Sequence, residues 1–282
     1  MRLATVIDAE QGTRAVVDID GSWHPLPYGD VGELLADPSW TDVAAAAAST
    51  EPLSDVVFAT LVPAPAKVIC CGHNYEDHIR ELGHEIPEYP TLFPKYADTL
   101  CGPFDDILID DRSDKVDWEA ELAVVIGKTI SRGDKAEAAA AIAGYTIAND
   151  ISIRDWQRRN SQWMPGKVFE ATTPLGPVLV TPDEIDPLAG LEISCEVNGE
   201  TVQHDNTSTL VFDAVTIVAY ISQFTTLHPG DVVLTGTPGG VGAALTPPRY
   251  LVDGDILTTT IEGIGSTVNH IRNAAVKEGT NV

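Results

Sequence analysis

Two short runs of alternating apolar and polar positions, residues 3–7 and 15–19, open the chain on either side of Gln11-Gly12-Thr13. A period of two with a glycine turn between the runs predicts a β-hairpin. Residues 30–37 and the alanine run 44–48 predict two short helices, because alanine has the highest helix propensity. Pro63-Ala64-Pro65 then breaks the pattern. A boundary is placed there, giving a small N-terminal domain over 1–64 and a larger one over 65–282.

The rest of the chain reads as β-rich. Apolar runs at 68–71, 120–126, 144–148, 178–181, 191–197, 232–234 and 256–261 predict strands, and Asn198-Gly199 predicts a tight turn into a strand at 200–203. Residues 135–143 and 212–224 predict helices, the second with Phe212, Val215, Ala219 and Ser222 or Gln223 on neighbouring turns. Three prolines in 87–94 predict a loop. Strands outnumber helices without alternating regularly with them, so neither a Rossmann sheet nor a TIM barrel is indicated. The fold class expected is α+β.

Composition narrows the function. At 282 residues, 44% hydrophobic and 21% charged, the chain is long and apolar enough to bury a sizeable core. Its 17 basic and 42 acidic residues give a formal charge of −25, which disfavours nucleic acid and anionic membranes as partners. The same charge favours a bound cation, and an anionic substrate would need a local positive centre. No signal-peptide pattern and no run near the ~18 apolar residues of a membrane span is present, so a cytoplasmic protein is expected. Four cysteines without C-x-x-C spacing predict neither a disulfide framework nor a structural zinc site.

The chemistry concentrates in four places. In Asp117-Trp118-Glu119-Ala120-Glu121-Leu122, strand alternation puts the three acids on one face, consecutive carboxylates about 7 Å apart. Asp150 stands at the end of the next apolar strand. These acids read either as a solvated outer face or as oxygen ligands for a hard cation, Mg²⁺ with Mn²⁺ or Ca²⁺ as substitutes. His78 and Glu81, three apart, suit one helical face as an acid/base pair or a plain surface pair, and residues 83–90 after them look like a lid. Lys167 and Arg154, with Gln157 on the same helical side as Arg154, are candidate contacts for an anion, although a surface lysine is the commoner outcome. The glycine run 235–242 lacks a phosphate-loop lysine; its N–H groups and the Thr237 hydroxyl suit a small carboxylate, or form a plain loop.

Taken in order, Gly72-x-Asn74-Tyr75-x-x-His78-x-x-Glu81, Phe93-Pro94-Lys95, Asp117-Trp118-Glu119-x-Glu121, Asn149-Asp150-x-Ser152-x-Arg154-Asp155-x-Gln157, Gly166-Lys167-x-Phe169 and Thr235-Gly236-Thr237-Pro238 resemble the fumarylacetoacetate hydrolase family. The resemblance spans about 67–270 and is to the smaller bacterial members with a short N-terminal α/β domain. It implies a mixed β-sandwich roll and a homodimer. Glu119, Glu121 and Asp150 fall on the family's metal ligands, His78 and Glu81 on its catalytic dyad, and Lys167 on its active-site lysine. Arg154, Gln157, Thr237 and Tyr75 fall on substrate-binding positions. His73 departs from the family pattern, where Arg or Leu is common. The implied activity is Mg²⁺-dependent hydrolysis of a carbon–carbon bond in a 2,4-dioxo acid, acylpyruvate- or fumarylpyruvate-like, through an enolate that the metal stabilises. Oxaloacetate decarboxylation and 2-hydroxymuconate-type isomerisation are alternatives on the same site. The non-enzyme alternative is a structural cation site.

Overall fold

In the computed structural model, residues 1–81, 83, 85–109 and 111–274 are described, the side chain of His78 excepted. The N-terminal hairpin forms as its alternation requires, Arg2–Asp8 against Gly12–Ile19. Arg2–Asp8 then pairs antiparallel with Thr173–Val180 through Leu3 and Leu179, so the opening strands extend the same sheet that carries the later ones. Among the described residues this mixed sheet has ten strands, running from Ser22–Pro25 at one edge to Thr91–Lys95 at the other. A second sheet of five, Glu200–Asn206, Glu192–Val197, Ile256–Ile261, Gly265–Asn273 and Ile107–Ile109, packs beside it. The fold is α+β and β-rich.

Ala120–Ile126 lies in the middle of the large sheet and is buried along its whole length. Trp118, Ala120, Leu122, Val124 and Ile126 face one hydrophobic core, while Ala123 and Val125 face another. The alternation is therefore as expected for the first face, but behind Glu121 the second face is core rather than solvent. Short side chains there leave room for a second layer.

Three expectations need correction. Thr91–Lys95 is a strand rather than part of a loop, pairing antiparallel with Val68–Gly72. Pro94 is tolerated because this strand is the sheet edge, where a missing N–H breaks no ladder. The long helix is Ala214–Ser222, capped by the Asp213 side chain on Thr216 N–H, and it buries Ala214, Ile217, Val218, Ile221 and Ser222. Phe212 lies before the cap, and Phe212, Val215 and Ala219 pack partly buried against the same core. The strand Gly265–Asn273 escapes the hydrophobic pattern because two of its inward positions are Thr267 and Asn269, both fully buried.

Candidate active site

Antiparallel pairing brings the start of Ala120–Ile126 beside the end of Ile142–Asn149, with Ala120 opposite Asn149. Asp150 N–H donates to Glu119 O at 2.8 Å, and Glu119 N–H to Asn149 Oδ1 at 2.9 Å. Glu119 and Glu121 from one strand and Asp150 from the other thus converge, with one oxygen of each within 4.8 Å of the others. All three are buried. On the other side of Glu121, Val232–Leu234 pairs with the same strand and delivers Gly236, whose N–H donates to Glu121 Oε2 at 2.6 Å.

Two lysines neutralise part of this charge. Lys167 Nζ lies 2.8 Å from Glu119 Oε2 and 2.7 Å from Asp150 Oδ2. Lys95, fully buried at its head, lies 2.6 Å from Asp150 Oδ1. Arg154 joins Glu119 Oε1 at 2.7 Å to Asp117 Oδ2 at 2.7 Å. Burial pulls the Lys167 pKa down, but Asp150 and Glu119 outweigh it, and the net shift is upward. Glu121 moves the other way from a normal carboxylate: burial, then repulsion from Asp150 and Glu119, holds its pKa well above the usual range.

An all-oxygen donor set this close, with Glu121 Oε1 taking no donor among the described residues, fits a hard divalent cation. A cation entering there displaces the proton that a raised pKa retains on Glu121. Apparent affinity should therefore rise with pH until Glu121 ionises, with proton release on binding falling away above that point. Calorimetric titration of Mg²⁺ in buffers of different ionisation heat measures this, and pH-independent affinity would contradict it.

Glu119, Glu121 and Lys167 line a cavity of about 370 Å³. Phe93, Trp163 and His73 form an aromatic wall, with His73 and Phe93 both edge-on to Trp163 at 5.0 and 5.5 Å. Gly72 is required under that wall, since a Cβ there would sit 2.4 Å from the Trp163 ring. His73 holds a left-handed backbone, φ 54°, a region that histidine enters more readily than most residues. Cys71 also lines the cavity, but burial and then Glu121 push its thiol up to about 12, so it is no thiolate nucleophile.

The structure gathers Glu119, Glu121 and Asp150 into one cluster, pairs Lys167 with Glu119 and Asp150, and sets Arg154, Gln157 and Thr237 in the cavity lining. Asp150 belongs to the strand end, while Arg154 and Gln157 share the helix Arg154–Gln157 and bond at 3.0 Å. Thr237 Oγ1 accepts from Gln203 Nε2 at 2.8 Å and keeps its own hydrogen to donate. Tyr75 lies in the core, fully buried, its hydroxyl without a hydrogen-bond partner among the described residues. Glu81 ends the helix Glu76–Glu81 and is exposed, its carboxylate accepting from Gly240 N–H at 3.4 Å. The His78 side chain lies outside the described residues, as does His84 within the expected lid.

Three N–H groups of the glycine run, those of Gly236, Gly240 and Gly242, serve the chain's own carboxylates. Gly236 donates to Glu121, and Gly242 and Ala243 donate to Asp117 at 2.7 and 3.0 Å. Asp117, counted with the cluster in the sequence, instead ties this loop to Arg154. Lys95 is the residue that sequence reasoning left without a role. Its signal was the scarcity of basic residues in so acidic a chain.

Residues 67–272 match the family model described as fumarylacetoacetate (FAA) hydrolase C-terminal. The chain belongs to the fumarylacetoacetate hydrolase family. Within the fumarylacetoacetate hydrolase family it is 42% identical over 262 residues to a mitochondrial oxaloacetate tautomerase of Bos taurus, covering 91% of this chain and 83% of that one. The fumarylacetoacetate hydrolase of Exiguobacterium antarcticum superposes with a TM-score of 0.88 at 34% identity, over 97% of this chain and all of that one (100%). A 5-carboxymethyl-2-hydroxymuconate delta-isomerase of Mycobacterium smegmatis gives 0.81 at 36% identity, over 97% and 100%. The cytoplasmic expectation is overturned by the tautomerase relative, whose name places it in the mitochondrion. Among the described residues no helix is long and apolar enough to cross a membrane, which says nothing of that compartment.

Proposed function

We propose that the protein is a metal-dependent tautomerase or isomerase of small 2-oxo acids, with oxaloacetate as its first substrate. Proton transfer thereby replaces the carbon–carbon hydrolysis expected from the sequence. The buried Glu119, Glu121 and Asp150 cluster, bridged by Lys167 at the floor of a polar cavity, carries this reading. The choice among reactions is supported by the 42% identity, over 91% of the chain, to an oxaloacetate tautomerase.

A divalent cation held by Glu119, Glu121 and Asp150, Mg²⁺ first, supplies Lewis acidity toward the 2-oxo oxygen of the substrate. Lys167 fixes Glu119 and Asp150 and adds positive charge where negative charge grows on that oxygen. The Thr237 hydroxyl, with its hydrogen still available, orients the substrate. Trp163, Phe93 and His73 restrict water on one side. His78 and Glu81 carry the proton at C3, removing it from the keto form or adding it to the enol form, while the 2-oxygen gains or gives up its own proton to solvent. No carbon–carbon bond breaks, so no water has to be activated.

The test follows the ultraviolet enol band of oxaloacetate with Mg²⁺, beside a protein-free Mg²⁺ control and a pyruvate assay. Enol decay that depends on the protein, without matching pyruvate, is the expected result. Pyruvate rising in step with enol loss would assign decarboxylation, and rapid cleavage of acetylpyruvate would restore hydrolysis.

A further inference from the structure

A chain with a formal charge of −25 repels a dianion unless the cavity itself supplies positive charge. At the cavity floor, most of that charge is already committed. Lys167 and Lys95 are bound to Asp150, and Arg154 to Glu119 and Asp117. The wall that continues from the helix Arg154–Gln157 is different. Gln157 and Arg158 both line the cavity there. An arginine only donates, so the Gln157 atom 3.0 Å from Arg154 Nη1 is the amide oxygen, and the amide nitrogen remains for another partner.

Arg158 caps that helix through its backbone N–H, which donates to Arg154 O at 3.1 Å. Its neighbour Arg159 lays its guanidinium over Trp156, 3.5 Å from the ring centroid. Arg158 has no such support. Among the described residues, no side-chain hydrogen bond, ion pair or ring contact holds its guanidinium, although the chain carries 42 acids. An always-charged, forked donor beside a free amide N–H is suited to a carboxylate.

We infer that Arg158, with the Gln157 amide nitrogen, binds the distal carboxylate of a 2-oxo dicarboxylate and so selects dicarboxylates over 2-oxo acids with an uncharged tail. This rests on the function proposed above for the same cavity. Glu119, Glu121 and Asp150, which would hold the cation, lie at the proximal end of the substrate in that reading, and Arg158 reads what lies beyond it. Arg158 is exposed, which limits the effect to a screened, charge-assisted contact.

The experiment compares wild type, Arg158→Gln and Arg158→Lys on the enol forms of oxaloacetate and of phenylpyruvate, which lacks a distal carboxylate. The expected result is a fall of roughly 10- to 30-fold in the kcat/KM ratio of oxaloacetate to phenylpyruvate for Arg158→Gln, carried mainly by KM for oxaloacetate. Arg158→Lys should recover part of it. A ratio that stays within about twofold overturns the assignment. So does a dicarboxylate preference that disappears as pH rises through neutrality, because a histidine titrates there and an arginine does not. The two failures are separable. A wild type inert toward both enols overturns the proposed reaction, and Arg158 is then judged by calorimetric binding of 2-oxoglutarate to the Mg²⁺-loaded protein. Weaker binding by Arg158→Gln supports the assignment, and equal binding overturns it.

Discussion

Glu121→Gln removes divalent-cation binding and turnover together, while the metal-free protein stays at least as stable as wild type. Partners one shell out from a metal typically carry 10–100-fold in affinity, so loss of a direct ligand should cost about 100-fold or more. The stability half of the prediction separates a ligand from a merely structural residue. Burial and two neighbouring carboxylates already penalise charge on Glu121, and a neutral amide of the same shape relieves that penalty. Its oxygen still accepts the Gly236 N–H now bound at 2.6 Å. Titration calorimetry with Mg²⁺, and denaturant unfolding with a chelator present, read the two halves. Unchanged Mg²⁺ affinity would end the metal assignment.

Lys167→Met should do the reverse to stability. The ammonium is buried between Glu119 and Asp150, and its loss leaves these two carboxylates facing each other across an apolar methyl group with only Arg154 and Lys95 as counter-charges. Removing one partner of a buried pair costs about 3–5 kcal/mol where the other charge is left uncompensated. Because Lys95 and Arg154 still pair with Asp150 and Glu119, the loss should fall at or below the low end of that range. Metal-free Lys167→Met should therefore unfold at clearly lower denaturant, and saturating Mg²⁺ should recover much of the difference by supplying the missing positive charge. Equal loss with and without Mg²⁺ would show that Lys167 acts apart from the cation site.

The metal cluster was legible in the sequence because it follows from short-range rules. A strand puts Glu119 and Glu121 on one side, and an acid at the end of the next strand is within reach once the two pair. The fold class was legible for the same reason, from runs of period two. Lys95 was not, since it meets Asp150 across 55 positions from a strand disguised by Pro94. The strand Gly265–Asn273 was hidden by its polar inward residues, whose bonds are made in three dimensions: Asn269 Nδ2 donates to Asp105 O at 2.9 Å. The glycine run shows the limit most clearly. Its composition signals backbone N–H groups placed for an acceptor, but not that the acceptors are the chain's own Glu121 and Asp117.

The pairing of Arg2–Asp8 with Thr173–Val180 also sets a timetable for synthesis. A ribosome adds residues at about 5–20 per second, so the opening strand waits roughly ten to thirty seconds before its neighbour is even made. Through that interval the nascent hairpin presents an unpaired backbone edge, open to the wrong partner. The short helices Val31–Ala36 and Trp40–Ala46 bury Leu34, Leu35 and Trp40 in the core that also holds Leu3 and Val17. They give the waiting segment a local companion, made long before Thr173–Val180, until the sheet can close.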